Sequence, residues 1–411
     1  MRFVALLALA ITVALALSAA ADTRPNVILI MADDLGVECL GSYGGTSYAT
    51  PNLDALAESG TRFTHGYSTP KCSPSRLNIM TGRYGFRMPQ VWGHLPDDEI
   101  TFGSVLRDAG VKTAVAGKWQ MALLKDNPRH PQEKGFDESS LWAWHEGPRY
   151  WQPMIWQNGV LRQEDIADRY GPDVYTEFLI DFMRENKEGP FFAYYPMCLP
   201  HFAKMDGLYV EPVGPNGRYQ TYKEMVEQMD RLVGEIVRAV DDMGIRENTL
   251  ILFTADNGTP NKIVSMRDGE EVKGGKAMHT NAGTHVPLIA SWPGTTPKGS
   301  VCDDLIDFSD FMPTFAELAN ATLPADRVID GRSFLPQLKG QPGSPRSWVY
   351  TEFEGLGWIR DKDWKLYTDG RFFDMKADPE EERPLEGEAL EGRAAAERAT
   401  LQAALKDLRG E

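Results

Sequence analysis

The chain has 411 residues, 42% of them hydrophobic, and a net charge of −16. That length suffices for one large domain with a sizeable core plus a smaller one. The acidic balance excludes nucleic acid as a natural partner, and an anionic substrate has to meet a local cluster of cations against the global field.

Residues 1–22, "MRFVALLALAITVALALSAAAD", hold one positive charge, an apolar run and small residues before Asp22. This pattern reads as a signal peptide, 1–21, cleaved near Ala20 or Ala21; the run is short for a membrane anchor. No later stretch is apolar enough to cross a bilayer, so the mature chain is expected in the periplasm or outside the cell, where disulfides are allowed. "NVILIMADDLG" then reads as a buried strand, Val27 to Met31, ending in two acids and a glycine. "TPNLDALAESG" is a helix with Thr50 as cap, Pro51 in its first turn and Gly60 at its end. "TFGSVLRDAG" is a helix, "VKTAVAGK" a strand, "DVYTEFLIDFMREN" a helix, and "GPFFAYYPMCLPH" holds a strand. In "YKEMVEQMDRLVGEIVRAVDDMG", Met225, Met229, Leu232, Val233, Ile236 and Val240 share one helical face. The strands "TLILFTADNG" and "HVPLIASW" follow. Apolar strands alternating with amphipathic helices predict an α/β layered fold with a largely parallel sheet. From about Ser347 short strands and turns take over, so the expected division is a main domain, 22–345, and a small C-terminal α+β subdomain, 346–411, closed by a helix from Ala389 to Leu408.

Asp33, Asp34, Lys118, His201, Asp256 and Asn257 each lie just beyond the end of an expected strand. In parallel α/β sheets ligand sites form outside the carboxyl ends of the strands, so four strands deliver these groups to one edge. "ADDLG" and "ADNG" offer hard oxygen ligands suited to Ca²⁺ or Mg²⁺, and no histidine that would favour a two-zinc site. Either pair alone would serve equally as a cap for the next turn. In "STPKCSPSRLNIMTGR", Pro74 suits a first helical turn and Cys72 sits at the helix mouth, where free N–H groups attract an anion. Arg76 lies one turn on, facing the same way. A buried thiol or half of a disulfide is the plain alternative for Cys72. Cys39, Cys198 and Cys302 read as buried thiols, or as one disulfide plus a spare.

"CSPSRLNIMTGR" resembles the signature of the formylglycine-dependent sulfatases of the alkaline-phosphatase superfamily. "PNVILIMADDLG", "AVAGKWQ", "LFTADNG", "GGKAMHTNAGTHVPLIASWPG" and "FFDMKADPEEERPL" are similar to further motifs of that family, from about Pro25 to Leu385. The resemblance implies a large mixed, mainly parallel sheet flanked by helices, with the small C-terminal subdomain. It implies that Cys72 is converted after synthesis to formylglycine, whose hydrated aldehyde is the nucleophile toward a sulfate ester. A formylglycine-generating or anaerobic sulfatase-maturating enzyme is then a partner. By the same resemblance Asp33, Asp34, Asp256 and Asn257 bind one Ca²⁺, with Cys72, as the hydrated aldehyde, a further ligand through one oxygen. Arg76 and Lys118 stabilise the hydrate, Lys276 binds sulfate, and His201 is the acid to the departing alcohol. Gln120 replaces the usual histidine of its motif, and Asn281 and His285 replace a more usual Glu and Arg.

For the substrate, "WAWHEGPRYWQPMIW" offers Trp142, Trp144, His145, Arg149, Trp151 and Trp156. Aromatic faces pack on sugar rings and an arginine meets a carboxylate or second sulfate; core packing is the alternative. His279, like His65 and His94, is either a pocket residue or an ordinary loop histidine. The expected activity is sulfate-ester hydrolysis on a sulfated carbohydrate. The rivals are a phosphate or phosphonate esterase of the same superfamily and an inactive glycan-binding member.

Overall fold

In the computed structural model, residues 22–89, 91–144, 146–201 and 221–410 are described. The expected signal peptide, 1–21, and His145 lie outside them. The first apolar run forms β1 (Asn26–Ala32), buried at every position, as a strand covered on both faces must be. The others are β2 (Thr61–Tyr67), β3 (Lys112–Lys118), β4 (Glu138–Trp142), β5 (Ile155–Gln157), β6 (Val160–Arg162), β7 (Phe191–Pro196) and β8 (Thr249–Ala255). After them come β9 (Val264–Arg267), β10 (Glu270–Lys273), β11 (His285–Ser291), β12 (Ser300–Asp307), β13 (Val349–Phe353), β14 (Leu356–Arg360), β15 (Trp364–Tyr367) and β16 (Phe372–Asp374).

Ten of these form one sheet in the order β12-β2-β11-β8-β1-β7-β3-β4-β5-β6. β8, β1, β7, β3 and β4 run parallel. β11 runs antiparallel between β8 and β2, so β2 and its parallel neighbour β12 point the same way as β8. The carboxyl ends of β1, β2, β3, β7 and β8 therefore share one rim, and β11 starts there. The expected α/β class holds. β9 and β10 form a separate hairpin, and β13 to β16 a four-stranded antiparallel sheet.

The expected face of helix Tyr222–Asp242 is buried at all six positions, and Thr221 and Glu224 close its N-terminus as a capping box. Helix Pro51–Glu58 departs from expectation at its start. Thr50 occupies the cap position, but its side chain makes no cap bond and accepts instead from the Gly41 N–H at 3.0 Å. The free N–H groups of Asn52 and Leu53 go to Asp230 of the neighbouring helix, at 3.1 and 2.8 Å. A tertiary carboxylate has displaced the local cap.

The C-terminal sheet packs on two sides. Tyr350, Ile359, Trp364, Leu366 and Phe372 meet Ala394 and Leu401 of helix Arg393–Arg409. On the other side Val349, Trp358, Tyr367 and Phe373 pack with Tyr67 and Leu305 of the main sheet. The closing helix starts later than its composition predicts, because Gly392, at φ +60°, breaks the chain direction before Arg393. All four cysteines are free thiols; Cys39, Cys72 and Cys198 are buried and Cys302 is half-buried. Among the described residues no helix is long and apolar enough to cross a membrane.

Candidate active site

Three strand-end turns are stitched together by backbone bonds. The Asp33 N–H donates to Leu199 O at 2.9 Å, Asp256 N–H to Ala32 O at 2.9 Å, and Leu35 N–H to Asn257 O at 3.0 Å. Asp34 takes a left-handed φ of +70°, a conformation that short polar residues tolerate, and its carbonyl accepts from the Tyr222 hydroxyl at 2.6 Å. Lys118 is the last residue of β3. Before it, Gly117 has φ +120°, and a Cβ there would lie 2.1 Å from Pro196 O, so only glycine allows β3 and β7 to come this close.

Cys72 is the first residue of helix Cys72–Thr81, entered through Lys71 in extended conformation and ended by left-handed Gly82. Its start matches expectation, with Cys72 at the mouth and Pro74 in the first turn. All ten helix residues are buried. Lys276 arrives on the segment before β11, which is pinned by Lys276 N–H to Thr259 O at 2.9 Å and Ala277 N–H to Pro70 O at 2.8 Å.

These turns bring three carboxylates and three cations into pairs. Lys118 Nζ donates to Asp33 Oδ2 at 2.6 Å, an Arg76 Nη to Asp256 Oδ2 at 2.8 Å, and Lys276 Nζ to Asp34 Oδ2 at 2.6 Å. Asn257 Nδ2 donates to Asp34 Oδ1 at 2.8 Å, and the Asp34 N–H to Asp256 Oδ1 at 3.1 Å. His201 Nε2 lies 3.7 Å from Asp34 Oδ2. Cys72 Sγ and carboxylate oxygens of Asp33 and Asp256 lie within 4.8 Å of one another, as do ligand atoms of Asp33, Asp34 and His201. Residues far apart in sequence thus meet at one point of the rim.

Burial and the adjacent Asp33 carboxylate push Asp256 up, to about 7. Burial acts upward on Asp33 too, but Lys118 and the cations behind it outweigh it and hold Asp33 well below the carboxylate range. Burial, helped by Lys276, pushes His201 well below its ordinary value.

The donor set fits a hard divalent cation. Asp33 Oδ1 and Asn257 Oδ1 are fully buried acceptors without a hydrogen-bond partner, which is costly unless something positive meets them. They stand beside two further carboxylates, and oxygen ligands of this kind suit Ca²⁺ or Mg²⁺. The three ion pairs alone leave the pocket near neutral; a divalent ion makes it net positive, as an anionic substrate requires.

Gln120, at φ +50°, is buried near the end of β3 with Oε1 unpartnered. Trp142 is buried at the end of β4, donating its indole N–H to Gly147 O at 2.7 Å, and the Arg149 guanidinium lies 4.0 Å from the centre of its ring. Trp151 and Trp144 are half-buried against the main core. His279 donates to Phe353 O at 2.9 Å. The two unusual positions are also engaged: Asn281 Oδ1 accepts from an Arg360 Nη at 3.0 Å, and His285 Nε2 donates to Thr64 O at 2.8 Å.

One supporting network carries no signal in local sequence. Lys365, fully buried, donates to Glu381 Oε1 at 2.9 Å and to His279 O at 2.8 Å. Glu381 also accepts from the Asn281 N–H at 2.7 Å and from the Tyr367 hydroxyl. The C-terminal sheet thereby grips the segment that carries Lys276.

Comparison with known proteins agrees with this geometry. The sulfatase family model matches residues 25–321, and a model described as N-sulphoglucosamine sulphohydrolase, C-terminal, matches residues 274–410. Arylsulfatase A of Bos taurus is 33% identical over 412 residues, covering 90% of this chain and 80% of that protein. N-acetylgalactosamine-6-sulfatase of Canis lupus familiaris is 32% identical over 366 residues, covering 79% of this chain and 67% of that protein. A solved structure of a protein in complex with its substrate D-glucosamine-2-N,6-O-disulfate shares the fold, with a TM-score of 0.77 and 22% identity over 94% of this chain and 98% of that one. A helix-mouth cysteine packed against paired strand-end carboxylates, in a chain matched along nearly its whole described length, makes this protein a member of the sulfatase family, a sulfuric ester hydrolase.

Proposed function

We propose that the protein is an exported sulfatase acting on a sulfated carbohydrate, with a formylglycine made from Cys72 as nucleophile and one Ca²⁺ held by Asp33, Asp34, Asp256 and Asn257. The observation that carries this reading is the approach of Cys72 Sγ to Asp33 and Asp256 within 4.8 Å, beside two orphaned buried oxygens. When bound, the modified residue and the ion supply a hydroxyl nucleophile and Lewis-acid polarisation of the ester.

The chain's own residues do the rest. Arg76 and Lys118 are fixed by burial, each already bonded to a carboxylate, and so present positive charge to the developing anion without reorganising. Lys276, about one-fifth exposed and bonded to Asp34, holds a sulfate oxygen. His201, from the segment after β7, is the acid to the departing alcohol, taking up its proton once the bound substrate's anion offsets the burial and the Lys276 charge that keep it neutral in the free pocket. Gln120 offers an unsatisfied acceptor that orients a hydroxyl but does not titrate. A carbohydrate substrate is supported by sugar-directed relatives such as N-acetylgalactosamine-6-sulfatase.

The test is sulfate release by protein co-expressed with a maturation enzyme, from aryl sulfate and aryl phosphate side by side, followed by sulfated oligosaccharides. Mass measurement of the tryptic peptide spanning Cys72 reports conversion, because the aldehyde is lighter than the thiol. Faster turnover of the phosphate, or full conversion without sulfate release from any ester, overturns the proposal.

A further inference from the structure

Lys71 immediately precedes Cys72, and its ammonium is set apart from the other cations of the pocket. It lies over two aromatic rings, 5.4 Å from the centre of Trp92 and 5.1 Å from that of Phe353. Among the described residues it makes no hydrogen bond and no ion pair. Aromatic faces hold a lysine without engaging its directional N–H donors, which stay available for a ligand.

The surroundings hold it there. The Gly93 N–H donates to Ser73 Oγ at 2.8 Å, which fastens the Trp92 turn to the helix that begins with Cys72. Trp92 leans edge-on against Trp144, ring centres 6.2 Å apart, yet is 40% exposed. Phe353 closes the other side at the end of β13, fixed through His279. The described chain exposes eight large hydrophobic side chains, and three of them, Val91, Trp92 and Met278, border this point. Met278 follows Ala277, which is bonded to Pro70. An exposed apolar rim around an unpaired cation beside a reactive centre calls for a ligand with both an apolar face and negative charge.

We propose that Lys71, Trp92 and Phe353 form the subsite for the sugar ring that carries the scissile sulfate: the ring stacks on Trp92, and Lys71 binds a second anionic substituent, a sulfate or a carboxylate. The preferred substrate is then a sugar bearing at least two anionic groups. This rests on the carbohydrate reading above, and it makes Lys71 and Trp92 determinants of specificity.

The test is calorimetric binding to the Cys72→Ala protein in calcium, so that conversion and turnover do not enter. The ligands are D-glucosamine 6-O-sulfate, D-glucosamine 2-N,6-O-disulfate and a 6-O-sulfated disaccharide containing a uronate. The disulfate or the uronate is expected to bind about tenfold or more tightly than the monosulfate, and which of the two does so identifies the second group. Lys71→Met should bring that ratio below about threefold and Lys71→Arg should restore it. Trp92→Ala should weaken all three sugars by about tenfold, and Trp92→Phe by less. An unchanged ratio in Lys71→Met, equal binding of all three sugars to the parent, or undiminished binding to Trp92→Ala overturns the inference. If the matured protein releases no sulfate from any ester while these binding differences hold, the proposed function fails and the subsite stands.

Discussion

Replacing Lys118 with methionine separates the pocket's charge balance from its shape. Lys118 and Asp33 are each no more than 2% exposed, with charged atoms 2.6 Å apart. At an effective dielectric of about 20 that contact carries a Coulomb energy of about 6 kcal/mol, which sets the ceiling. Arg76 and Lys276 still act on Asp33, so the loss should fall in the range of about 3–5 kcal/mol typical of removing one partner of a buried pair. Urea unfolding in chelator reads this directly without adding ionic strength. Calcium should then stabilise the variant more than it stabilises the parent, because the ion supplies the missing counter-charge and no longer meets the repulsion of Lys118. Sulfate release should be lost. A variant within about 0.5 kcal/mol of the parent in chelator, or one that gains no more from calcium, refutes the reasoning.

Stripping divalent ions should lower sulfate release more than about a hundredfold, with calcium restoring it better than magnesium in a direct add-back assay. Burial pushes His65 and His130 down to about 4 and His285 down to about 3. Each stays neutral in the fold while the unfolded imidazole titrates near 6.5, so their contribution is intact above about pH 6.5 and is lost as pH falls through about 4 and 3. Near pH 5 unfolding should take up about one proton per histidine, a slope of about 1.4 kcal/mol per pH unit each. His285→Gln keeps an N–H for Thr64 O and should reduce the slope by one proton; equal slopes in the two proteins would count against this account. Glu381→Gln leaves Lys365 buried without its counter-charge, costing about 3–5 kcal/mol. The same change should lower kcat/KM about tenfold by loosening the Lys276 segment, and turnover equal to the parent would confine Glu381 to a packing role.

The main sheet was legible because its strands are apolar throughout and its helices are amphipathic, as the six buried positions of helix Tyr222–Asp242 show. The rim was legible for a related reason: polar residues directly after apolar runs have few places to go but the strand ends, and Asp33, Lys118 and Asp256 go there. What local pattern does not carry is long-range pairing. Asp230 capping a distant helix and Lys365 meeting Glu381 are set by packing between segments remote in sequence. The tryptophans from the end of β4 onward divide for the same reason, since composition does not distinguish Trp142, buried with its N–H satisfied, from a ring offered to solvent. Trp92 escaped notice because a single exposed aromatic in a turn has no periodicity to mark it.

The grip of Glu381 on Asn281 makes the order of synthesis matter. A chain that has emerged only as far as β12 can complete its large sheet and hold Lys276 through Thr259, Pro70 and Asp34, yet the second tether, from Glu381 to Asn281, waits for almost the last stretch. A copy terminated before Glu381 therefore folds its sheet without the outer clasp on the loop bearing Lys276.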